Sequence, residues 1–474
     1  MRTIWMCAVS VWLMVCITAC KPQKKSFNES FVEVSSENPS YFCLSNGDPY
    51  LAIGLNMVHS YNNMELMERW IKNLSENGGN FIRIWLGHDM FDYEKVYGQV
   101  NAEQIAKVDR VLELAGKYGI KVKMCLENFR QIAPSIPPNE SSSYYKTAYH
   151  IENGGPFVNM PDYMADERGQ KVFLDRAKFF KNRYGDDPRI FAWELWNEMN
   201  AIWIENKPDV IKWNAEVIPK VQEVFPKNLI TQSLGSFDKQ RSFSDYEGVM
   251  KISENDVLQV HRYIDEGADL PICQAPMDVL AVDAIQILQS YGIQKPILLA
   301  ETGGVKPRHS GPHPGYEKDH EGTILHDLLF APYFAGAAGP GHVWHWDVYV
   351  DRNNLWYHFR RFSNAVGDIN PIKEDFKPLR ADQSNFRVYI LKGKNHSLVW
   401  LRDTKSNWHT ELIEGIEPQL YKNVSLILNE VFKNSKIYNV KIYDPWADQW
   451  SDAKASASVT LPDFKRSLVV RIKH

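Results

Sequence analysis

The chain has 474 residues, too many for one ordinary hydrophobic core, so a large domain with a smaller companion is the expected organisation. Its 54 basic and 58 acidic residues give a net charge of -4 with no basic stripe, which argues against a nucleic-acid partner. Aromatic residues make up 12% of the chain and include 15 Trp, a content that suits either a Trp-rich core or stacking on sugar faces.

Residues 1–20 read as a processing segment, with Arg2 supplying positive charge and 4–15 a short apolar stretch. Thr18 and Ala19 precede Cys20 in "ITAC", which resembles the bacterial lipoprotein cleavage box with Cys20 as the lipidated residue. That resemblance implies a membrane partner through an N-terminal lipid anchor and a place in the cell envelope, on the outer membrane or cell surface. An ordinary secretory signal is the alternative. Cys7 and Cys16 would leave with the segment, and the remaining Cys43, Cys125 and Cys273 make no even disulfide framework and fit no zinc spacing. They read as packing residues. Residues 21–40 are polar and aperiodic, which predicts a flexible tether.

Eight short apolar runs follow, at 50–57, 81–86, 120–127, 190–198, 229–234, 257–263, 296–301 and 342–347. Between them lie segments of helical period such as 64–78 and 102–119, whose apolar residues recur every three or four positions and stop at Gly or Asn-Gly. Near-continuous apolar strands alternating with amphipathic helices predict an α/β fold, a (β/α)8 TIM barrel over 41–370. Chemistry in such a barrel sits where the strands end. The polar tails of the runs are Asn56, Arg83, Glu127 with Asn128, Asn197 with Glu198, His261 with Tyr263, Glu301, and Trp346 with Asp347.

Two long loops, 129–165 and 302–322, are expected to shape the cleft. The second carries His309, His313 and His320, but their spacing lacks the paired form of a metal site, so neither metal nor organic cofactor is expected. After 370 the pattern becomes strict alternation at 386–393, 396–403, 436–445 and 467–474, which predicts a small antiparallel β-sandwich over 371–474. It either supports the barrel helices or binds carbohydrate.

Glu198 ends the fourth run and Glu301 the seventh, so the two carboxyls face each other across one barrel mouth. Glycoside hydrolysis needs such a pair, one protonated to donate to the leaving oxygen and one ionised to attack the anomeric carbon. Arg83 and the Tyr263 hydroxyl can hold one ionised, while burial and like charge keep the proton on the other. On this reading Glu301 is the nucleophile and Glu198 the acid/base.

"WELWNE" and "PILLAETG" resemble the glycoside hydrolases of clan A, most of all family 5 and its mannanase and glucanase relatives. The resemblance implies the same roles for Glu198 and Glu301, a 2-hydroxyl contact for Asn197, and strand-two support from Arg83. It implies that Tyr263 touches the nucleophile, that His261 lines the cleft, and that Trp344 or Trp346 floors the sugar site, the choice depending on register. The third strand ends in "LENF", where many family 5 members carry a His, so Glu127 and Asn128 are either sugar contacts or a pair bracing the rim. The expected function is a monomeric retaining hydrolase of β-linked glycans, β-mannan or β-glucan in type. An exo-acting glycosidase and a non-catalytic glycan-binding lipoprotein are the alternatives.

Overall fold

A computed structural model describes residues 25–128, 132, 147–202, 209–235, 237–429, 431 and 437–474. The expected signal segment with Cys20, residues 21–24 and most of the first long loop lie outside the described residues. The expected tether is corrected from residue 26 onward. Strand β1 (Val32–Val34) pairs antiparallel with β2 (Phe42–Leu44), which pairs with β3 (Pro49–Tyr50). Ser30 and Val32 are buried, and Lys121 Nζ donates to the carbonyls of Phe27 and Ser30. Three apolar residues, Phe27, Val32 and Val34, are too few to give a period, yet they close a core shared with Phe81, Phe191 and Leu298.

Strands β4 (Gly54–Asn56), β5 (Phe81–Trp85), β6 (Lys121–Glu127), β7 (Ile190–Trp196) and β8 (Leu229–Thr231) form a parallel sheet in chain order. Strands β9 (Leu258–Ile264) and β10 (Ile297–Gly304) form a second parallel pair. Val343 bridges Leu55 of β4 and Thr302 of β10, both in parallel, and Asp256 N–H donates to the Ile230 carbonyl (2.8 Å) where β8 meets the approach to β9. Seven of the eight predicted runs are therefore strands among the described residues. The eighth contributes the Val343 bridge and then turns away into a π-helical turn, Trp346–Asp351.

The intervening helices are α1 (Met64–Glu76), α2 (Ala102–Tyr118), α3 (Met160–Ala165), α4 (Glu167–Tyr184), α5 (Val210–Val224), α6 (Phe243–Met250), α7 (Met277–Ser290) and α8 (Thr323–Phe334). Asn63 caps α1 by accepting from Leu66 N–H, and α2 runs from the Asn101 cap to Gly119 in the left-handed region, the Gly stop the sequence predicts. Helices cover the outer face of the parallel strands, so β5, β6, β7, β9 and β10 are buried at every residue and read as continuous apolar runs.

After α9 (Tyr357–Val366) and α10 (Pro371–Glu374) come β11 (Lys377–Arg380), β12 (Phe386–Lys392), β13 (His396–Asp403), β14 (Ser425–Ile427), β15 (Tyr438–Asp444), β16 (Gln449–Ala455), β17 (Ser458–Thr460) and β18 (Ser467–Lys473). Six make one antiparallel sheet, in the order β11-β12-β13-β18-β15-β16, and β14 pairs with β17. Strand alternation assigns each face. Val388, Ile390, Val399 and Leu401 pack with Leu426 and Val459, whereas Tyr389, Leu391, Leu398 and Trp400 join the core of the parallel domain. Every residue of α8 is buried because this sheet covers its outer side. Buried ion pairs join the layers: Arg402 Nε to Asp327 of α8 at 2.7 Å, and Arg387 Nη2 to Asp278 of α7 at 2.9 Å.

Candidate active site

Charged residues stand inside the apolar strands at one level, and they build the floor of the site. Side chains alternate along β7, so Glu194 and Trp193 face opposite ways, and Glu194 points inward to Arg83 of β5. Arg83 is fully buried and spends all of its donors. Nε and Nη2 bind Glu194 at 2.6 and 2.9 Å, Nη2 binds Asn197 Oδ1 at 2.6 Å, and Nη1 binds Asn56 Oδ1 at 3.2 Å and Glu301 Oε1. Lys123 Nζ donates to Gln259 at 2.8 Å and lies 3.5 Å from Glu194. Against the upward push of burial, Arg83 and Lys123 hold the Glu194 carboxyl down at about 2. Burial lowers Lys123 to about 8.

The predicted pair stands on this floor. Glu301 Oε2 accepts from the Tyr263 hydroxyl at 2.8 Å, so both its oxygens are held by donors. Glu198 sits at φ 48°, ψ 48°, a left-handed conformation uncommon for a residue with a side chain, two residues beyond the end of β7. Its main-chain N–H donates to Ser233 Oγ at 3.1 Å, and its Oε1 lies 2.7 Å from His261 Nδ1. The same Nδ1 is 3.4 Å from Glu301 Oε2, and one oxygen from each carboxyl lies within 4.8 Å of the other. Burial, reinforced by the Glu301 charge, pushes Glu198 well above the ordinary carboxylate range. Burial also raises Glu301, but Arg83 and Tyr263 oppose it. Only one of the pair has a cation and a hydroxyl donor, so the shared proton resides on Glu198. Burial and Arg83 keep the His261 imidazole neutral.

The pair opens into a cleft of about 870 Å³ whose wall includes Asn197, Tyr263, Trp85, Trp344 and Trp346. Asn197 is fully buried. With its Oδ1 fixed by Arg83, its Nδ2 has no partner among the described residues and is free to donate to a bound hydroxyl. Trp344 stacks obliquely on Trp85 with centroids 5.0 Å apart, while Trp346 stands at 89° to Trp344 and is 3% exposed, so Trp344 presents more ring to the cleft. Glu127 and Asn128 are buried beside the cleft. Glu127 Oε1 accepts from Asn128 N–H at 3.1 Å, and the Glu127 carbonyl accepts from Asn197 N–H at 2.8 Å, a bracing arrangement at the end of β6. Residues of the second loop, including His309 and Pro312, do line the cleft, while His313 folds back to accept from Gly315 N–H.

Glu194, Lys123, Gln259 and Gly235 also belong to the site, although none of them ends an apolar run. The first three were visible as polar residues inside apolar runs, in "AWELW", "KVKMC" and "VLQVH". A Cβ added at Gly235 would fall 2.6 Å from Glu198 Cδ and 2.8 Å from its Cβ. Gly235→Ala is therefore expected to displace Glu198 and lower kcat about 10²-fold, in line with the effect of a misplaced catalytic group. Steady-state kinetics beside an unchanged thermal midpoint would check this, and unchanged kcat would refute the steric argument.

Two carboxyls closing parallel strands, one ionised by Arg and Tyr and one holding a proton over an aromatic-walled cleft, define the class of glycoside hydrolases. The chain belongs to glycosyl hydrolase family 5, whose model, described as Cellulase, matches residues 43–322, a span that includes the departure at "LENF". With the family, it is a retaining hydrolase of β-glycans. A protein described as "Mannan endo-1,4-beta-mannosidase 7" of Arabidopsis thaliana is 24% identical over 340 residues, covering 63% of this chain and 74% of that protein. "Putative mannan endo-1,4-beta-mannosidase 4" of the same plant is 24% identical over 349 residues, covering 66% and 82%. A solved structure of a putative glycoside hydrolase from Bacteroides vulgatus aligns at 14% identity with a TM-score of 0.59, covering 95% of this chain and 83% of that one, a likeness of fold. Family and neighbour together imply the (β/α)8 barrel.

Proposed function

We propose that this chain is an endo-acting, retaining β-1,4-mannan hydrolase in which Glu301 is the nucleophile and Glu198 the acid/base. The observation that carries the reaction is the closeness of the carboxyl oxygens, within 4.8 Å, with Arg83 and Tyr263 on Glu301 alone. A gap of about 5 to 5.5 Å suits direct attack, whereas inversion needs about 6.5 to 9.5 Å to admit a water. A Glu301 oxygen bonds to the anomeric carbon as the glycosidic C–O bond breaks, and the Glu198 proton passes to the leaving oxygen. The Glu198 carboxylate then takes a proton from water, whose oxygen attacks the same carbon, and the ester to Glu301 breaks. Mannan as substrate rests on what the two plant relatives are named for. Endo action rests on the same names, both of which describe an endo-1,4-beta-mannosidase.

The test is digestion of β-1,4-mannan, β-1,4-glucan and mixed-linkage glucan with product sizing. Oligomers of mixed length from mannan support the reading. Mannose alone replaces endo with exo action, and binding without cleavage replaces it with the lectin-like alternative. kcat/KM is expected to be bell-shaped in pH. Activity falls below the acid limb as Glu301 gains a proton and above the alkaline limb as Glu198 loses its own. Glu198→Gln should remove the alkaline limb for aryl glycosides with good leaving groups, and a limb that persists would assign that titration elsewhere.

Cys20 as a lipid anchor to the bacterial cell envelope is part of the same proposal, supported by "ITAC". Among the described residues no helix is long and apolar enough to cross a membrane. Fatty-acid labelling lost in Cys20→Ser is the expected result, and label retained in the variant would refute the anchor.

A further inference from the structure

We infer that Asp238, Asp265 and His309 form a binding site for one divalent transition-metal ion on the wall of the cleft. Asp238 lies in the loop after β8, Asp265 directly after β9 and His309 after β10, and all three line the cleft that holds the carboxyl pair. His309 Nε2 is 3.5 Å from Asp265 Oδ2 and 3.9 Å from Asp238 Oδ2, and one donor atom from each of the three lies within 4.8 Å of the others. Donors about 2.1 Å from a tetrahedral zinc ion stand about 3.4 Å from one another, so a small closure of these loops completes the set.

Each carboxylate keeps one oxygen that the described residues leave unused. Asp265 is 1% exposed; its Oδ1 accepts from the N–H groups of Gly267 (2.7 Å) and Arg308 (3.0 Å), while Oδ2 has no hydrogen-bond partner among the described residues. Asp238 is 6% exposed and its Oδ1 is likewise without a hydrogen-bond partner among the described residues. Lys239, Arg241 and Arg308 line the same cleft, yet among the described residues no Lys or Arg side chain pairs with either carboxylate. Two buried carboxylates converging on an imidazole nitrogen form a set of acceptors. A neutral sugar hydroxyl donates one hydrogen and leaves the second charge uncompensated, whereas a dication neutralises both. One nitrogen and two oxygen donors suit zinc or manganese better than calcium, which takes oxygen ligands throughout. The ion would clasp three cleft loops to one another and keep its remaining coordination positions toward the cleft.

Calorimetric titration of the full-length, chelator-treated chain with Zn²⁺ tests this. The expected result is one saturable ion per chain, with affinity at least tenfold lower in both His309→Ala and Asp238→Asn. His309 is 37% exposed on its loop, so the metal-free His309→Ala chain should melt with the metal-free parent, and zinc should raise the midpoint of the parent alone. No saturable binding, or equal binding in parent and variants, overturns the inference. A rise in KM for mannan in the variants with zinc affinity unchanged overturns it in favour of a sugar contact. Zinc is read without turnover, so the two proposals separate. A chain that binds zinc and cleaves nothing loses the proposed function alone, and one that cleaves mannan without binding zinc loses this inference alone.

Discussion

Glu301→Gln is expected to lower kcat on mannan by at least about 10⁴-fold while the fold and the binding of mannan oligomers persist, because removing the attacking group abolishes the covalent route and leaves only positioning and electrostatics. The amide matches the carboxylate in volume. Its oxygen can still accept from Arg83, so the buried guanidinium keeps a partner at the place where Glu301 Oε1 accepts now. Direction of attack supplies a stricter test than rate. In Glu301→Ala a small anion such as azide fits the vacated space and reaches the anomeric carbon from the nucleophile's side, giving an α-glycosyl azide. In Glu198→Ala azide enters after the glycosyl-enzyme has formed, from the opposite side, and gives the β-azide. Exchanged stereochemistry would exchange the two roles, and a Glu301→Gln chain retaining more than about a tenth of parental kcat would remove Glu301 from the chemistry altogether.

The parallel strands were legible because helices cover one face and the interior the other, so burial is written into the sequence as unbroken apolar runs. The helix stops were legible for a local reason, since Gly78 and Gly119 act within a few residues of where they stand. What escaped depended on partners distant in sequence. Edge strands β11 and β16 were missed because an edge carries little of the core: all four residues of Lys377–Arg380 are exposed, and so is most of Gln449–Ala455. The β1 segment reads as a tether in sequence because its few apolar residues meet their partners only in Phe81, Phe191 and Leu298. Within the site, strand-end residues could be picked out by position. Lys123, Glu194 and Gln259 could not, since a polar residue inside an apolar run acquires meaning only when its distant partners are placed against it. Asp238, Asp265 and His309 come from three loops and share no spacing that a sequence would reveal.

Arg83→Met is expected to be the most destabilising single change at the site. Five N–H groups of a fully buried guanidinium meet Glu194, Asn197, Asn56 and Glu301, and deleting one member of such a network leaves buried charge without a counter-ion, a cost of about 3 to 5 kcal/mol. Lys123 remains 3.5 Å from Glu194 and compensates only in part. The pH dependence separates this from a packing defect. In the parent, Glu194 is lowered from the ordinary 4.5 to about 2, so its contribution to stability is fully present above 4.5 and is lost as pH falls toward about 2. Without Arg83 that contribution is gone, and the deficit of the variant should be largest at neutral pH and should shrink as acid removes from the parent what the variant already lacks. Denaturant midpoints at pH 7 and pH 4 would read this. A deficit equal at both values would mean that Arg83 matters for its volume and not its charge. Arg83→Lys supplies the kinetic arm. It keeps a positive charge without the fork that spans Glu194 and Glu301, so the chain should fold, while the acid limb of kcat/KM moves upward as Glu301 loses the cation that opposes its burial. An acid limb unchanged in Arg83→Lys would show that Tyr263 alone suffices to keep Glu301 ionised.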